Sequence, residues 1–393
     1  MSAAQWRKAM NSGASAQAWP RQRRAAAVPA APTGEPPAYA DRSTPAWLRW
    51  IWRRVSARHV FVLALVLVYP WVATPFFTFQ IGAQSLALGL IALSLTFLGG
   101  YGGMISLAQM TVAGIAGYMV AIFGASGTAE ISLGLPWWVV VPLAIAIAVV
   151  CAPFIGWLSV RTEGIYTIMI TLAIGVAFHY LVLQNYSVFN GFQGLQKVYA
   201  PTVAGVNWGE PLPFYYLAAA CALAGYFFVQ YLVRTPFGIA LQGIRDNARR
   251  MNALGFNVNA HRVAAYAVAG LIAAIGGVLF VWYNALITPG SIGTSWLINI
   301  LIIAVLGGMR HPIGPFLGAI VFVLLQNFAI DVFARERFNL VIGGVFLAIV
   351  LFSPDGLLGL WQRLRARLEG ADAQSRISTP RPSRRFIEGG SQP

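Results

Sequence analysis

Apolar residues run through the chain in blocks, and polar residues gather in the gaps between them. Blocks long enough to approach or cross an apolar layer about 30 Å thick fall near 60–78, 82–98, 104–124, 137–158, 164–184, 213–233, 263–285, 296–309, 313–330 and 338–352. Those at 82–98, 296–309 and 338–352 are short for a span. The pattern predicts an all-α membrane protein with about ten transmembrane helices. One long polar stretch, 234–262, divides an N-terminal membrane half at 59–233 from a C-terminal half at 263–360.

That stretch has its own periodicity. Thr235 suits a helix N-cap, and Pro236 suits the first turn, where a missing N–H costs nothing. Phe237, Leu241, Ile244, Ala248 and Met251 recur at spacings of four, three, four and three, which places them on one face. Gln242, Arg245, Asp246, Arg249 and Arg250 take the other side, and Gly255 stands where a left-handed residue would end the helix. A short amphipathic helix outside the membrane is expected. Its apolar stripe suits lipid headgroups and a docking surface on another protein equally well.

Composition agrees with the pattern. The chain is 58% apolar and only 10% charged, with a mean hydropathy of +0.67, where soluble domains carry roughly a quarter charged residues. Residues 1–58 are rich in Ala, Pro and Arg, and are expected to be a mostly disordered cytoplasmic tail as far as about Pro45. Trp47, Leu48, Trp50, Ile51 and Trp52 then read as an interfacial belt. A basic tail directly before a span points to anionic lipid rather than to nucleic acid. The C-terminal tail, 361–393, is basic as well. Arg161, then Arg234, Arg245, Arg249, Arg250 and Arg262, then Arg310 fall in even-numbered connections, which predicts that both termini are cytoplasmic. The longest outer connection, 185–212, has Asn, Gly and Pro enough to form a small external structure.

Acidic residues narrow the mechanism. Glu130, Glu163, Glu210, Asp246, Asp331, Glu336 and Asp355 map to connections or span ends, so no carboxylate sits mid-membrane, where an ion-coupled carrier usually needs one. The only lysines are Lys8, followed by Ala, and Lys197, followed by Val, so the chain holds no phosphate loop of its own. His59, His179, His261 and His311 are scattered and make no metal site, and His179 in its span suits a hydrogen-bonded structural role. Cys151 and Cys221 lie in apolar runs and act as small hydrophobes. No catalytic set and no cofactor are expected. The polar residues left in the spans are Ser106, Gln109 and Thr111 after the Gly99–Gly103 cluster, Thr167 and Thr171 on one helical face, and Asn299, Gln326 and Asn327. Such residues serve as interhelical glue or as a pathway lining. Helices broken by glycine beside polar side chains favour the path for Ser106, Gln109, Thr167 and Thr171. Leu-Gly-Gly, four residues, then Ile occurs at 98–105 and 306–313, as a duplicated half or by chance.

Several stretches together resemble the permease subunits of ABC importers for branched-chain amino acids, in particular the second, M-type, of the two permeases such systems pair. The resemblance covers about residues 80–360 and rests on PGSIGTSWLINILIIAVLGGMRHPIGPFLGA at 289–319, TPFGIALQGIRDNARRMNALGFNV at 235–258, GGYGGMISLAQ, TEGIYTIMITL and GFQGL. Met104, Ala108, Glu163, Val176, Arg250, Met251 and Arg310 depart from the family's usual residues. Urea, short amides and other small polar solutes therefore stand beside amino acids as candidate substrates. The resemblance implies a second permease subunit, two cytoplasmic ABC ATPase subunits, an extracytoplasmic solute-binding protein and a place in the bacterial inner membrane. It turns the amphipathic helix into an ATPase-coupling element, with Phe237, Gly238, Leu241, Ile244, Arg245, Asp246, Met251 and Gly255 as its residues. A helix that transmits motion is expected to be a stiff, well-seated rod. The rival reading is a secondary carrier or channel needing no ATPase.

Overall fold

The computed structural model describes residues 67–332, except 128–130, 163 and 204, together with 343, 344, 347, 351 and 356–359. The two basic tails and most of the apolar run at 338–352 lie outside the described residues.

Eight helices follow the apolar pattern: α1 (Phe77–Tyr101), α2 (Gln109–Phe123), α3 (Trp137–Ser159), α4 (Ile165–Gln184), α5 (Pro211–Leu232), then, after α6 (Pro236–Ala253), α7 (Val258–Asn284), α8 (Thr294–Gly307) and α9 (Gly314–Val332). Among the described residues α1, α3, α4, α5 and α7 are long and apolar enough to cross a membrane, while α2, α8 and α9 are shorter apolar helices. The run at 82–98 is longer than its sequence indicated. Wide π turns at Phe77–Ala83 and Phe97–Tyr101 extend its α-helical centre, Gln84–Thr96, at both ends. The run at 104–124 is shorter. Residues 103–108 are not helical, and α2 begins only at Gln109.

Helix α1 is apolar all round, which suits a central position. Its apolar window is 94% buried, against 22% for α4, so α1 is core and α4 is rim. Helix α7 packs on α1, α2 and α3, and α9 packs on α1, so the helices before and after the polar stretch share one core. Small residues allow this. A Cβ on Gly277 would overlap the Ala113 carbonyl, and one on Gly270 would overlap Ala152, so α7 lies nearly backbone to backbone on α2 and α3.

The two ends of the bundle differ. At one end lie α6, the 99–103 break and the turn between α8 and α9. At the other, the 185–212 connection folds into the expected small structure. Its strand Leu195–Gln196 pairs antiparallel with Leu286–Ile287, and Thr202–Val203 pairs with Val206–Asn207. Asn190 holds a left-handed turn there (φ 59°) and donates from Nδ2 to the Gly194 carbonyl at 2.8 Å. On the same side His179 Nδ1 meets the Pro289 carbonyl oxygen at 2.9 Å, in keeping with the structural role its sequence position suggested.

Candidate functional site

Helix α6 begins and ends as its sequence predicts. The Gly238 amide donates to the Thr235 hydroxyl at 3.4 Å, with Pro236 in the first turn. At the far end Gly255 takes φ +91°, its amide bonds the Asn252 carbonyl at 3.0 Å, and the Phe256 amide bonds the Met251 carbonyl at 3.1 Å. That pair of bonds is the Schellman motif, which a left-handed glycine makes possible.

Between its caps the helix is not a single rod. Asn247 is extended (φ −158°, ψ 94°), and its side-chain oxygen accepts from the Arg250 amide at 2.9 Å, capping a second short helical segment. Asn and Asp side chains compete with the helix ladder in this way, and periodicity does not reveal it. Met251 folds its sulfur back onto Gly243 and joins the two segments across the bend. The element is a bracket, and the straight rod expected from the stripe is corrected accordingly.

The apolar stripe also turns inward. Leu241 and Ile244 are 0% and 1% exposed, and Leu241 packs on Gly102 at the end of α1. Phe237, Ala248 and Met251 are half-buried. Phe237 stacks on His261 of α7, with centroids 5.9 Å apart and rings 13° from parallel, and Phe256 meets the same imidazole edge-on at 5.8 Å. The middle of the stripe, Leu241 and Ile244, is thus received by the chain itself. Ile239 and Leu254, 61% and 67% exposed, stand outward with Asp246, Arg249 and Arg250. Two residues of the predicted polar face turn in as well. Gln242 Nε2 donates to the Val233 and Gly238 carbonyls at 3.0 and 3.1 Å. Arg245 donates from Nε and Nη2 to Asp246 Oδ1 at 3.0 and 2.9 Å, and from Nη1 to the Gly100 carbonyl.

That last bond reaches the broken segment. Gly103 sits at φ +69° with the Arg245 stem against its Cα, and Gly100 lies on the Met309 carbonyl of the α8–α9 turn. From there residues 102–108 lead into the bundle. The Met104 amide bonds the Leu98 carbonyl at 3.0 Å, and the Leu107 amide donates to Thr171 Oγ1 at 3.1 Å. Thr171 donates in turn to the Thr167 or Ile168 carbonyl, both at 3.0 Å, and Thr167 donates to the Thr162 carbonyl at 2.8 Å. Thr171 thus binds the break to α4, while Thr167 ties the start of α4 to the α3–α4 connection. Gln109 meets Ser94 of α1, whose hydroxyl donates to Oε1 at 3.1 Å. Gln109 Nε2 and Thr111 Oγ1 stay without a hydrogen-bond partner, as does Thr96 Oγ1 on α1, while the Tyr266 hydroxyl on α7 lies beside Ser106 and Ser159.

The structure therefore gathers three of the four sequence-predicted path residues, Ser106, Gln109 and Thr171, around the start of α2 and divides their tasks. Thr171 holds the segment, Gln109 presents an unmet Nε2, Ser106 lies beside the Tyr266 hydroxyl, and Thr167 bonds back to Thr162. Asn327 and Gln326 lie elsewhere, bonded to the Val323 carbonyl and to Gln84 of α1 respectively. Ser94 and Tyr266 were missed by sequence reasoning. Ser94 stands two residues from Thr96 in an otherwise apolar run, a faint signal, and Tyr266 gave none. Among the described residues no cluster of His, Cys, Asp or Glu is able to hold a metal ion.

Residues 77–350 match the family model described as branched-chain amino acid transport system / permease component. The high-affinity branched-chain amino acid transport system permease protein LivM of Salmonella typhimurium is 24% identical over 69% of this chain and 70% of its own length. LivM of Escherichia coli is 24% identical over 65% and 67%. The ribose import permease protein RbsC of Haemophilus influenzae is 22% identical over 62% and 76%. No solved structure matches. A break lined with polar atoms, a capped helix seated at one end of an apolar bundle, and a family match over most of the chain agree: this chain belongs to the family of permease components of branched-chain amino acid transport systems.

Proposed function

We propose that the chain is the permease subunit of an ATP-driven importer for branched-chain or other small amino acids, urea or amides. As an ABC permease component it is a transport part and supplies no nucleotide chemistry. In this reading it works with a second permease subunit, two cytoplasmic ATPase subunits and an extracytoplasmic solute-binding protein, in the bacterial inner membrane with both termini inside. The observation that carries it is α6, capped at both ends, anchored on α1 and α7, and bonded through Arg245 to the segment that leads into the core. An element that collects motion at the membrane face and passes it to the interior needs that arrangement.

Its docking surface is the outward side of the bracket, where Ile239, Asp246, Arg249, Arg250 and Leu254 are exposed. Phe237, Gly238, Leu241, Ile244, Met251 and Gly255 give the bracket its shape and seat. Orientation follows from charge. Arg161, whose guanidinium lies 4.4 Å over the Trp157 ring, joins the arginines of 234–262 and Arg310 at the α6 end, where a positive excess marks the cytoplasm. The solute path runs by the start of α2, with Ser106 and Gln109 facing the solute and Thr167 and Thr171 fixing the wall.

Reconstitution with the cognate ATPases and binding protein tests the reading. ATP-dependent leucine accumulation is expected, with none when the ATPases are left out. Accumulation by the isolated chain without nucleotide would overturn it in favour of a carrier. The ribose relative supports a second reading, a polyol solute, which the same assay separates by supplying ribose.

A further inference from the structure

Helix α3 has two unlike faces. Ala144, Ala148, Ala152 and Gly156 are buried, with Ala152 against Gly270 and Gly156 against Tyr266 of α7, so this side lies on the bundle. Leu143, Ala146, Val150, Phe154, Trp157 and Arg161 are exposed. They recur at spacings of three, four, four, three and four, which makes them one stripe down the opposite side. Val150, Phe154 and Trp157 are 71%, 64% and 51% exposed, and the last two rings stack with centroids 6.3 Å apart. No carboxylate lies on the stripe, and it ends on a cation.

That cation is held open. The Arg161 guanidinium lies 4.4 Å from the centre of the Trp157 ring, and among the described residues it makes no ion pair and no hydrogen bond. A guanidinium carries five N–H donors in a fork that fits phosphate, and an aromatic ring beneath its plane leaves those donors free. Val150 and Arg161 are 11 positions apart, about 16 Å along a helix, which is close to half of an apolar layer about 30 Å thick. The stripe therefore offers alkyl-binding surface through the depth of one leaflet, an aromatic ring at the boundary, and a free cation at headgroup level.

A second protein laid on this face would take Arg161 out of water and would need a carboxylate aimed at it. A phospholipid presents alkyl chains and then a phosphate in the same order and at the same spacing. A zwitterionic headgroup brings its own ammonium to compete for that phosphate, whereas an anionic one leaves its charge for the arginine. We infer that the outward stripe of α3 is a binding site for one anionic phospholipid of the leaflet at the α6 end, with its phosphate on Arg161 and its acyl chains along Trp157, Phe154 and Val150. The site asks only that the bundle lie in a membrane, so it stands apart from the importer reading.

Native mass spectrometry of the full chain, offered equal phosphatidylglycerol and phosphatidylcholine, counts the lipid that stays bound. Phosphatidylglycerol should be retained in preference, and Arg161→Gln should weaken its retention about tenfold, the worth of a hydrogen bond to a charged group. Arg249→Gln with Arg250→Gln, which removes two exposed arginines elsewhere, should not. All three positions are exposed, so these variants should fold. Glu163, two residues beyond Arg161, lies outside the described residues, and Glu163→Gln should keep the lipid or hold it more tightly. Benzoylphenylalanine placed at Phe154 and irradiated in native membranes should carry the mass of a phospholipid. Equal retention of the two lipids overturns the site, as does parent-level retention in Arg161→Gln or a loss in Glu163→Gln. A comparable loss in the Arg249/Arg250 pair also overturns it, leaving only general attraction to a basic chain. So does a crosslink from Phe154 to a protein, which would make the stripe a subunit interface.

Discussion

The Arg245 guanidinium donates to the Gly100 carbonyl, so α6 holds the last turn of α1 directly, 145 residues away in sequence. Gly100 has no room for a side chain, because its Cα lies on the Met309 carbonyl, and Gly103 takes the Arg245 stem at φ +69°. Three elements meet at this point: α6, the 99–103 break and the α8–α9 turn. Displacing α6 therefore pulls on the segment that ends at Gln109.

Arg245→Ala should cut solute moved per ATP about tenfold while ATPase subunits still co-purify, since a bond to a charged donor is worth roughly 1.5–3 kcal/mol. Arg245→Lys, which keeps one donor, should recover part of it. The ratio of uptake to hydrolysis in proteoliposomes is the measurement, and an unchanged ratio for Arg245→Ala would remove this link.

Ile244→Asp is expected to act on folding. At 1% exposure the site places a carboxylate among apolar atoms with no partner, which costs several kcal/mol or forces its protonation. Membrane-inserted, detergent-stable protein should fall sharply. Arg249→Glu with Arg250→Glu, on the exposed side, should leave that yield intact and weaken ATPase co-purification instead. Size-exclusion yield beside pull-down tells the two classes apart, and a stable Ile244→Asp chain would contradict the inward stripe.

How far the sequence could be read follows from which physics leaves a mark on it. The amphipathic start and stop of α6 were legible because Thr235, Pro236 and Gly255 each answer a local backbone need. Eight apolar blocks became helices for the same reason: length and apolarity are local. The direction of the α6 stripe was not legible. An apolar face states that it will be buried, and says nothing of whether the chain's own α1 or another molecule buries it. The bend at Asn247 hides because its cause is one side chain competing for one amide. Ser106 and Gln109 were visible as polar letters beside a glycine cluster. Tyr266, 160 residues beyond Ser106 and brought beside it by the fold, was not.

Gly277→Val should destabilise the bundle by about 2–4 kcal/mol, because α7 must move off the Ala113 backbone to admit the side chain. Gly255→Ala meets open space, so only its left-handed backbone resists, at about 1 kcal/mol. Thermal unfolding in one detergent should rank parent, Gly255→Ala and Gly277→Val in descending order. A Gly277→Val chain as stable as the parent would mean the α2–α7 contact is looser than the structure shows.

The bend itself is open to measurement. Asn247→Ala removes the oxygen that accepts from the Arg250 amide and puts the best helix former in its place, so the ladder should close across the gap and α6 should straighten. Spin labels at Ile239 and Leu254, both exposed, report the change as an interspin distance. A continuous helix would span those 15 positions at 1.5 Å each, about 22 Å, and the bent form should be measurably shorter or broader in distribution. Straightening should also pull Met251 off Gly243 and free the outward arginines from their present spacing, so ATPase co-purification should weaken in the same variant. If Asn247→Ala kept the parent's distance distribution, packing of Met251 rather than the asparagine cap would be what bends the helix. Met251→Ala in the same labelled chain would then be the variant that straightens it.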